Sequence, residues 1–159
     1  MTITETDLKH LRRCVELARK ALADGDEPFG SVLVSPGGEV LFEDHNRVKD
    51  GNAMLHPEIA ISRWAVDNLA RGERAAATVY TSGEHCPMCA ASHGWAGLGR
   101  IVFAASSAQL GRWLEQWGVP QGPVAPLPIT TVVPAAWVEG PVPEFEEEMR
   151  VLYRTCFAK

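Results

Sequence analysis

Two short apolar runs, residues 78–81 and 100–104, are separated by room for one helix and little more, and this spacing constrains the fold more than any other feature of the chain. Val79 and Tyr80 sit in the first run; Ile101, Val102 and Phe103 form most of the second. Between them Pro87 opens a helical stretch reaching about residue 98. Proline suits a first helical turn because its missing N–H has no partner to lose there. Strand, helix and strand in direct succession predict a right-handed parallel crossover, the unit of an α/β layer. The tight segment 82–86 then carries the chain from the end of a strand into the start of a helix.

The flanking segments fit such a layer. Leu8, Leu11, Val15, Ala18 and Leu22 recur at steps of three and four, predicting an amphipathic helix over residues 5–23 with Thr4 or Thr6 as its cap. Residues 29–34 and 40–42, joined by Ser35-Pro36-Gly37-Gly38, read as a β-hairpin. A polar loop over 44–52 leads to a helix over 56–69, with His56 and Pro57 at its start. Beyond residue 105 we expect a short helix and loop over 106–117 and a proline-rich segment, 118–128, that wraps the main domain. A fifth strand is expected over 129–133 and a terminal helix over 143–157. A chain of 159 residues, 46% of them apolar, is the size of a single domain with one buried core. It has no run near the ~20 apolar residues of a membrane span, and its start lacks the basic and apolar parts of a signal peptide. A soluble, cytoplasmic protein is expected.

Fifteen basic and twenty acidic residues leave a net charge of −5, which gives no general attraction to a phosphate backbone. A small neutral substrate fits this balance better than nucleic acid. Arg12, Arg13, Arg19 and Lys20 read as a solvated helix face.

Cys86-Pro87-Met88-Cys89 places two thiolates one turn apart at a helix N-terminus, where backbone N–H groups and the helix dipole favour negative sulfur. Alone, this motif serves equally as a redox pair, half of a structural zinc site or two thirds of a catalytic one. His56-Pro57-Glu58 shifts the balance by adding an imidazole and a carboxylate at another helix start. Structural zinc takes four protein ligands. The remaining cysteines, Cys14 and Cys156, fall inside predicted helices and read as core residues. His56, Cys86 and Cys89 therefore leave a fourth zinc position for water, whose pKa drops from ~15.7 to ~7 in favourable sites. Glu58 is then placed to accept a proton from that water, pass it to a substrate ring nitrogen and help to protonate the departing amine.

His-x-Glu followed by Pro-Cys-x-x-Cys is a deaminase signature, and through HPE at 56–58 and TSGEHCPMC at 81–89 the chain resembles the cytidine deaminase superfamily. Together with PFGSVLV at 28–34, these segments are similar to its nucleobase and tRNA adenosine deaminase branch, which includes bacterial guanine deaminases. The resemblance spans roughly residues 8–106. It implies a three-layer α/β/α fold on a mixed five-stranded sheet, a Zn2+ cofactor and a homodimer. It further implies hydrolysis of an exocyclic amine from a free nucleobase or related amino-heterocycle, with release of ammonia. Guanine comes first; isoguanine, cytosine-like rings and amino-triazines stay open, and a tRNA adenosine deaminase or a noncatalytic zinc-stabilised binding module are the alternatives.

The same resemblance places Asn46 against the base, where an amide can donate and accept together. Phe29 either lines the pocket or leads a buried strand. Trp113 and Glu115 fall where related guanine deaminases carry a lid and a second acidic residue. Trp113 then stacks on a ring or packs its helix with Trp117, and Glu115 shuttles protons or is simply solvated. Two departures stand out: Pro57 replaces an alanine common in the family, and His85 replaces a proline before the first cysteine. His85 has three options: filling the proline's place, facing the substrate pocket or competing for metal. His93 and Trp95 are expected to pack against the sheet or a second subunit, whereas His10 and His45 have no role assigned.

Overall fold

The computed structural model describes residues 2–159. Its first helix, α1 (Glu5–Ala23), starts at Thr4, whose Oγ1 accepts from the Asp7 N–H at 3.1 Å while Asp7 Oδ2 accepts from the Thr4 N–H at 2.9 Å. This reciprocal box satisfies two donors that a helix start leaves unpaired. The hairpin follows as β1 (Gly30–Val34) and β2 (Val40–His45), then α2 (Pro57–Asn68), a short α3 (Arg71–Ala76), β3 (Thr78–Gly83), α4 (Pro87–Ala96) and β4 (Ile101–Ala105). The last part of the chain forms α5 (Ser107–Gln116), α6 (Ile129–Val132), β5 (Val138–Glu139) and α7 (Glu146–Phe157).

The strands form one mixed sheet in the order β2-β1-β3-β4-β5. β1 runs antiparallel to both of its neighbours, whereas β3, β4 and β5 are mutually parallel, the pair β3 and β4 as the crossover spacing predicts. Successive side chains on a strand point to opposite faces, and the two faces are covered differently. Val32, Val34, Tyr80, Val102 and Ala104 pack with Leu11, Val15 and Ala18 of α1 and with Met149 and Leu152 of α7. On the other face Leu33 and Val79 meet Ile61 and Ala65 of α2, while Ile101 and Phe103 meet Ala90 of α4 and Ile129 of α6. The result is a three-layer α/β/α architecture.

The expected strand over 129–133 is corrected by the structure: that segment is α6, and the fifth strand is Val138–Glu139, with Val138 opposite Ile101 and Glu139 opposite Val102. Its β-branched composition suggests a strand, but Ile129 is buried, Val132 and Val133 are partly buried, and Thr130 and Thr131 are exposed. Steps of three and four define one helical stripe, and packing on it outweighs local propensity.

A polar clamp ties α1 to the sheet. Arg100 donates to both carboxylate oxygens of Asp7, at 2.8 and 3.0 Å, and at 2.5 Å to Glu139, while the Tyr80 hydroxyl donates to Asp7 at 2.7 Å. Burial alone would raise the Asp7 carboxyl, yet these donors hold it well below the usual carboxylate range. Among the described residues no helix is long and apolar enough to cross a membrane.

Candidate active site

α2 and α4 pack side by side on one face of the sheet. His56 is the N-cap of α2 and Cys86 the N-cap of α4, each in extended conformation with proline as the first helical residue. Cys89 lies one turn into α4. The His56 Nδ1 atom is 3.5 Å from Cys86 Sγ and 3.5 Å from Cys89 Sγ, and the three donor atoms lie within 4.8 Å of one another. A tetrahedral zinc with usual Zn–S and Zn–N lengths sets sulfur and nitrogen about 3.6 Å apart, so the group fits the ion. Among the described residues no further His, Cys, Asp or Glu joins the cluster.

Hydrogen bonding from Cys89 and from His56 pulls Cys86 down, while Cys89, bonded to Cys86 and buried, is pushed up. A cation bound beside them favours the ionised form of both sulfurs.

Glu58, in the first turn of α2, is buried beside this group. Its Oε1 accepts from Ser31 Oγ of β1 and Thr81 Oγ1 of β3, both at 2.9 Å. Ser31 and Thr81 are register partners, and their hydroxyl oxygens are themselves 2.9 Å apart. Two adjacent strands therefore hold one oxygen of the carboxylate. Burial pushes the Glu58 carboxyl up, against the lowering influence of His56 and the two hydroxyls, and a raised carboxyl suits a group that takes up and hands on a proton near neutrality.

A cavity of about 580 Å³ opens onto His56, Glu58 and Cys86, within the size range of small-molecule sites. Phe29, Leu110 and Leu114 line it, as do Val119, Val124 and Pro126 from the segment between α5 and α6. Glu84 ties together the starts of the two helices that flank that covering segment: Oε1 accepts from the Ser107 N–H of α5 and Oε2 from the Ile129 N–H of α6, each at 2.9 Å. Both donors are first-turn N–H groups that their own helices leave unpaired.

The family model for the cytidine and deoxycytidylate deaminase zinc-binding region matches residues 4–105. The chain belongs to this family. It is 31% identical over 118 residues to a probable cytosine deaminase of Schizosaccharomyces pombe, covering 73% of this chain and 70% of that protein. It is 33% identical over 109 residues to a tRNA-specific adenosine deaminase of Haemophilus influenzae, covering 68% and 63%. Among solved structures, the guanine deaminase of Nitrosomonas europaea matches at a TM-score of 0.70 and 21% identity, over 98% of this chain and 86% of that one. The last comparison establishes the shared deaminase fold.

Of the residues singled out from sequence, the structure brings His56, Cys86, Cys89, Glu58, Phe29 and Glu115 to the metal group and cavity of this deaminase-family chain. Asn46 is not among the lining residues: it is buried, and its Oδ1 accepts from the N–H groups of Glu27 at 3.3 Å and Val48 at 3.1 Å, bracing the loop behind Phe29. Trp113 is also elsewhere, buried in the core with its ring 6.0 Å from that of Tyr153, and Trp117 packs on the same cluster. The helix presents Leu110 and Leu114 to the cavity instead.

His85 takes neither the pocket nor the metal. The segment 84–86 is irregular and Cys86 is extended, so adjacent side chains diverge. Glu84 and Cys86 line the cavity, whereas His85 points inward and meets His93 edge-on at 5.5 Å. Gly83 lets the strand pass here, since a Cβ would lie 2.6 Å from the Tyr153 hydroxyl.

Sequence reading missed Ser31, Thr81 and Glu84. Hydroxyls inside two apolar strand runs are a usable signal for the first two. Glu84 offers none, because its partners lie 23 and 45 residues away.

Proposed function

We propose that this chain is a zinc-dependent aminohydrolase that removes an exocyclic amine from a free nucleobase or related amino-heterocycle, releasing ammonia. One observation carries the reading: a His-Cys-Cys group with the spacing to hold a metal and a buried, doubly hydrogen-bonded carboxylate border one cavity. His56, Cys86 and Cys89 would hold the zinc, which when bound would supply the Lewis acidity that makes water nucleophilic near neutral pH. Glu58 accepts the proton from the attacking water, delivers it to the ring nitrogen next to the carbon under attack and assists protonation of the leaving amine. Ser31 and Thr81 keep that carboxylate from rotating, which preserves its aim through both transfers. Phe29, Leu110 and Leu114 exclude bulk water around the ring.

Guanine is the first candidate, supported by the resemblance and by the fold shared with a guanine deaminase; cytosine is the second, supported by the relative at 31% identity. A homodimer belongs to the same proposal, and Trp95, 93% exposed on α4, is a residue that a subunit contact would cover.

The test is a panel of free bases incubated with the zinc-loaded protein and assayed for ammonia. Turnover of at least one base is expected, falling by about 10²–10⁴ in Glu58→Gln. No turnover of any base, or an undiminished rate in the variant, overturns the reading, and salt-sensitive tRNA deamination replaces it.

A further inference from the structure

We infer that the site selects amino-heterocycles whose ring carries an apolar substituent and no phosphate. This rests on the deaminase reading above and narrows it to a substrate class. The polar groups that perform the chemistry, His56, Glu58 and Cys86, occupy only part of the lining of a cavity of about 580 Å³. One planar base placed against them leaves much of that space unfilled.

What bounds the rest is aliphatic. Leu110 and Leu114 project from α5, and Val119, Val124 and Pro126 project from the segment between α5 and α6, two helices whose starts Glu84 ties together. Such walls reward burial of a hydrocarbon group and give a ribose few partners for its hydroxyls, each of which loses water on entry. Beyond the reacting groups the polar side chains on the lining are Ser107, Gln121, Glu115 and Glu84, and Glu84 is already engaged by two backbone N–H groups.

Charge acts in the same direction. Among the described residues the lining contains Glu58, Glu84 and Glu115 and neither lysine nor arginine. A phosphate carries about −1.5 to −2 at neutral pH. Within this lining it would meet carboxylates with no lysine or arginine to pair it, so phosphorylated substrates are rejected by repulsion as well as by desolvation.

The experiment uses the zinc-loaded wild-type protein and two ring series, guanine and cytosine, each as the free base, its N-propyl derivative, the ribonucleoside and the nucleoside monophosphate. Ammonia release gives kcat/KM, and calorimetric titration of the corresponding oxo products gives affinity independently of turnover. For the ring that is turned over, the propyl form should exceed the free base by about tenfold or more, since each buried methylene is worth roughly fourfold. The nucleoside should fall below the free base and the monophosphate should be the poorest. In Leu114→Ser the ratio of propyl to free base should drop toward one. Equal or better use of the monophosphate, or a propyl form no better than the free base in both rate and affinity, overturns the inference while leaving deamination intact. Absence of turnover for every compound defeats the deaminase reading, and the product titrations then decide the apolar subsite on their own.

Discussion

Removing the Glu84 carboxylate should loosen the cover of the cavity before it harms the metal group. Its two oxygens each accept one backbone N–H at 2.9 Å, from Ser107 at the start of α5 and Ile129 at the start of α6, and residues 117–128 between those helices form much of the lining. A hydrogen bond to a charged group contributes about 1.5–3 kcal/mol. Losing both in Glu84→Ala therefore costs at most about 3–6 kcal/mol, reduced to about 2–4 kcal/mol because the site is only partly buried and water can replace the acceptor. Glu84→Gln keeps one acceptor and turns an NH2 toward the other N–H, so about half that cost remains. For a domain of this length 1 kcal/mol corresponds to roughly 2–4 °C in melting temperature, and Glu84→Gln should melt about 2–8 °C lower. The local effect is more diagnostic: hydrogen exchange should accelerate over 107–129 in both variants, and KM for the best base should rise several-fold with a smaller change in kcat. Unchanged exchange over that segment and an unchanged KM in Glu84→Ala would refute the tether.

Ser31→Ala and Thr81→Ala should each lower kcat about tenfold with little change in KM, with the double variant less than additive because both hydroxyls act on the same Glu58 oxygen; recovery in Thr81→Ser, read by steady-state kinetics, distinguishes positioning from packing. Chelation of the metal should abolish ammonia release and expose Cys86, whose thiol is pulled down by Cys89 and His56, to alkylation faster than buried Cys89, as read by mass spectrometry. The Asp7 carboxyl is held low, so the stability it contributes is complete above its unfolded pKa of about 3.9 and is lost as pH falls through the lower folded value. Asp7→Asn should accordingly cost about 3 kcal/mol at pH 7 and progressively less toward pH 2, measured by urea unfolding.

What could be read from the sequence was what local chemistry decides. Prolines after His56 and Cys86 mark helix starts because no other position in a helix tolerates them so well, and those starts carry the metal donors. The run, helix and run of residues 78–104 gives the parallel pair β3 and β4 because few other connections fit so short a span. What escaped was what a side chain's direction decides. Trp113 lies on the α5 face turned to Tyr153, and no spacing within α5 reveals whether that face or the one with Leu114 meets the cavity. The bracing contacts of Asn46 escaped as well: its side-chain oxygen accepts from the N–H groups of Glu27 and Val48, the first of them 19 residues away.

His85 separates the two kinds of information most clearly. Its place beside a metal donor suggests pocket or metal chemistry, yet the backbone at Cys86 is extended, and in such a backbone neighbours face opposite ways. Cys86 turns its sulfur to His56, Glu84 lines the cavity with it, and His85 lies buried against His93. A residue two positions from a ligand is thereby a better candidate for shaping this pocket than the residue next to it, and Glu84, which tethers the cavity's cover, occupies that position.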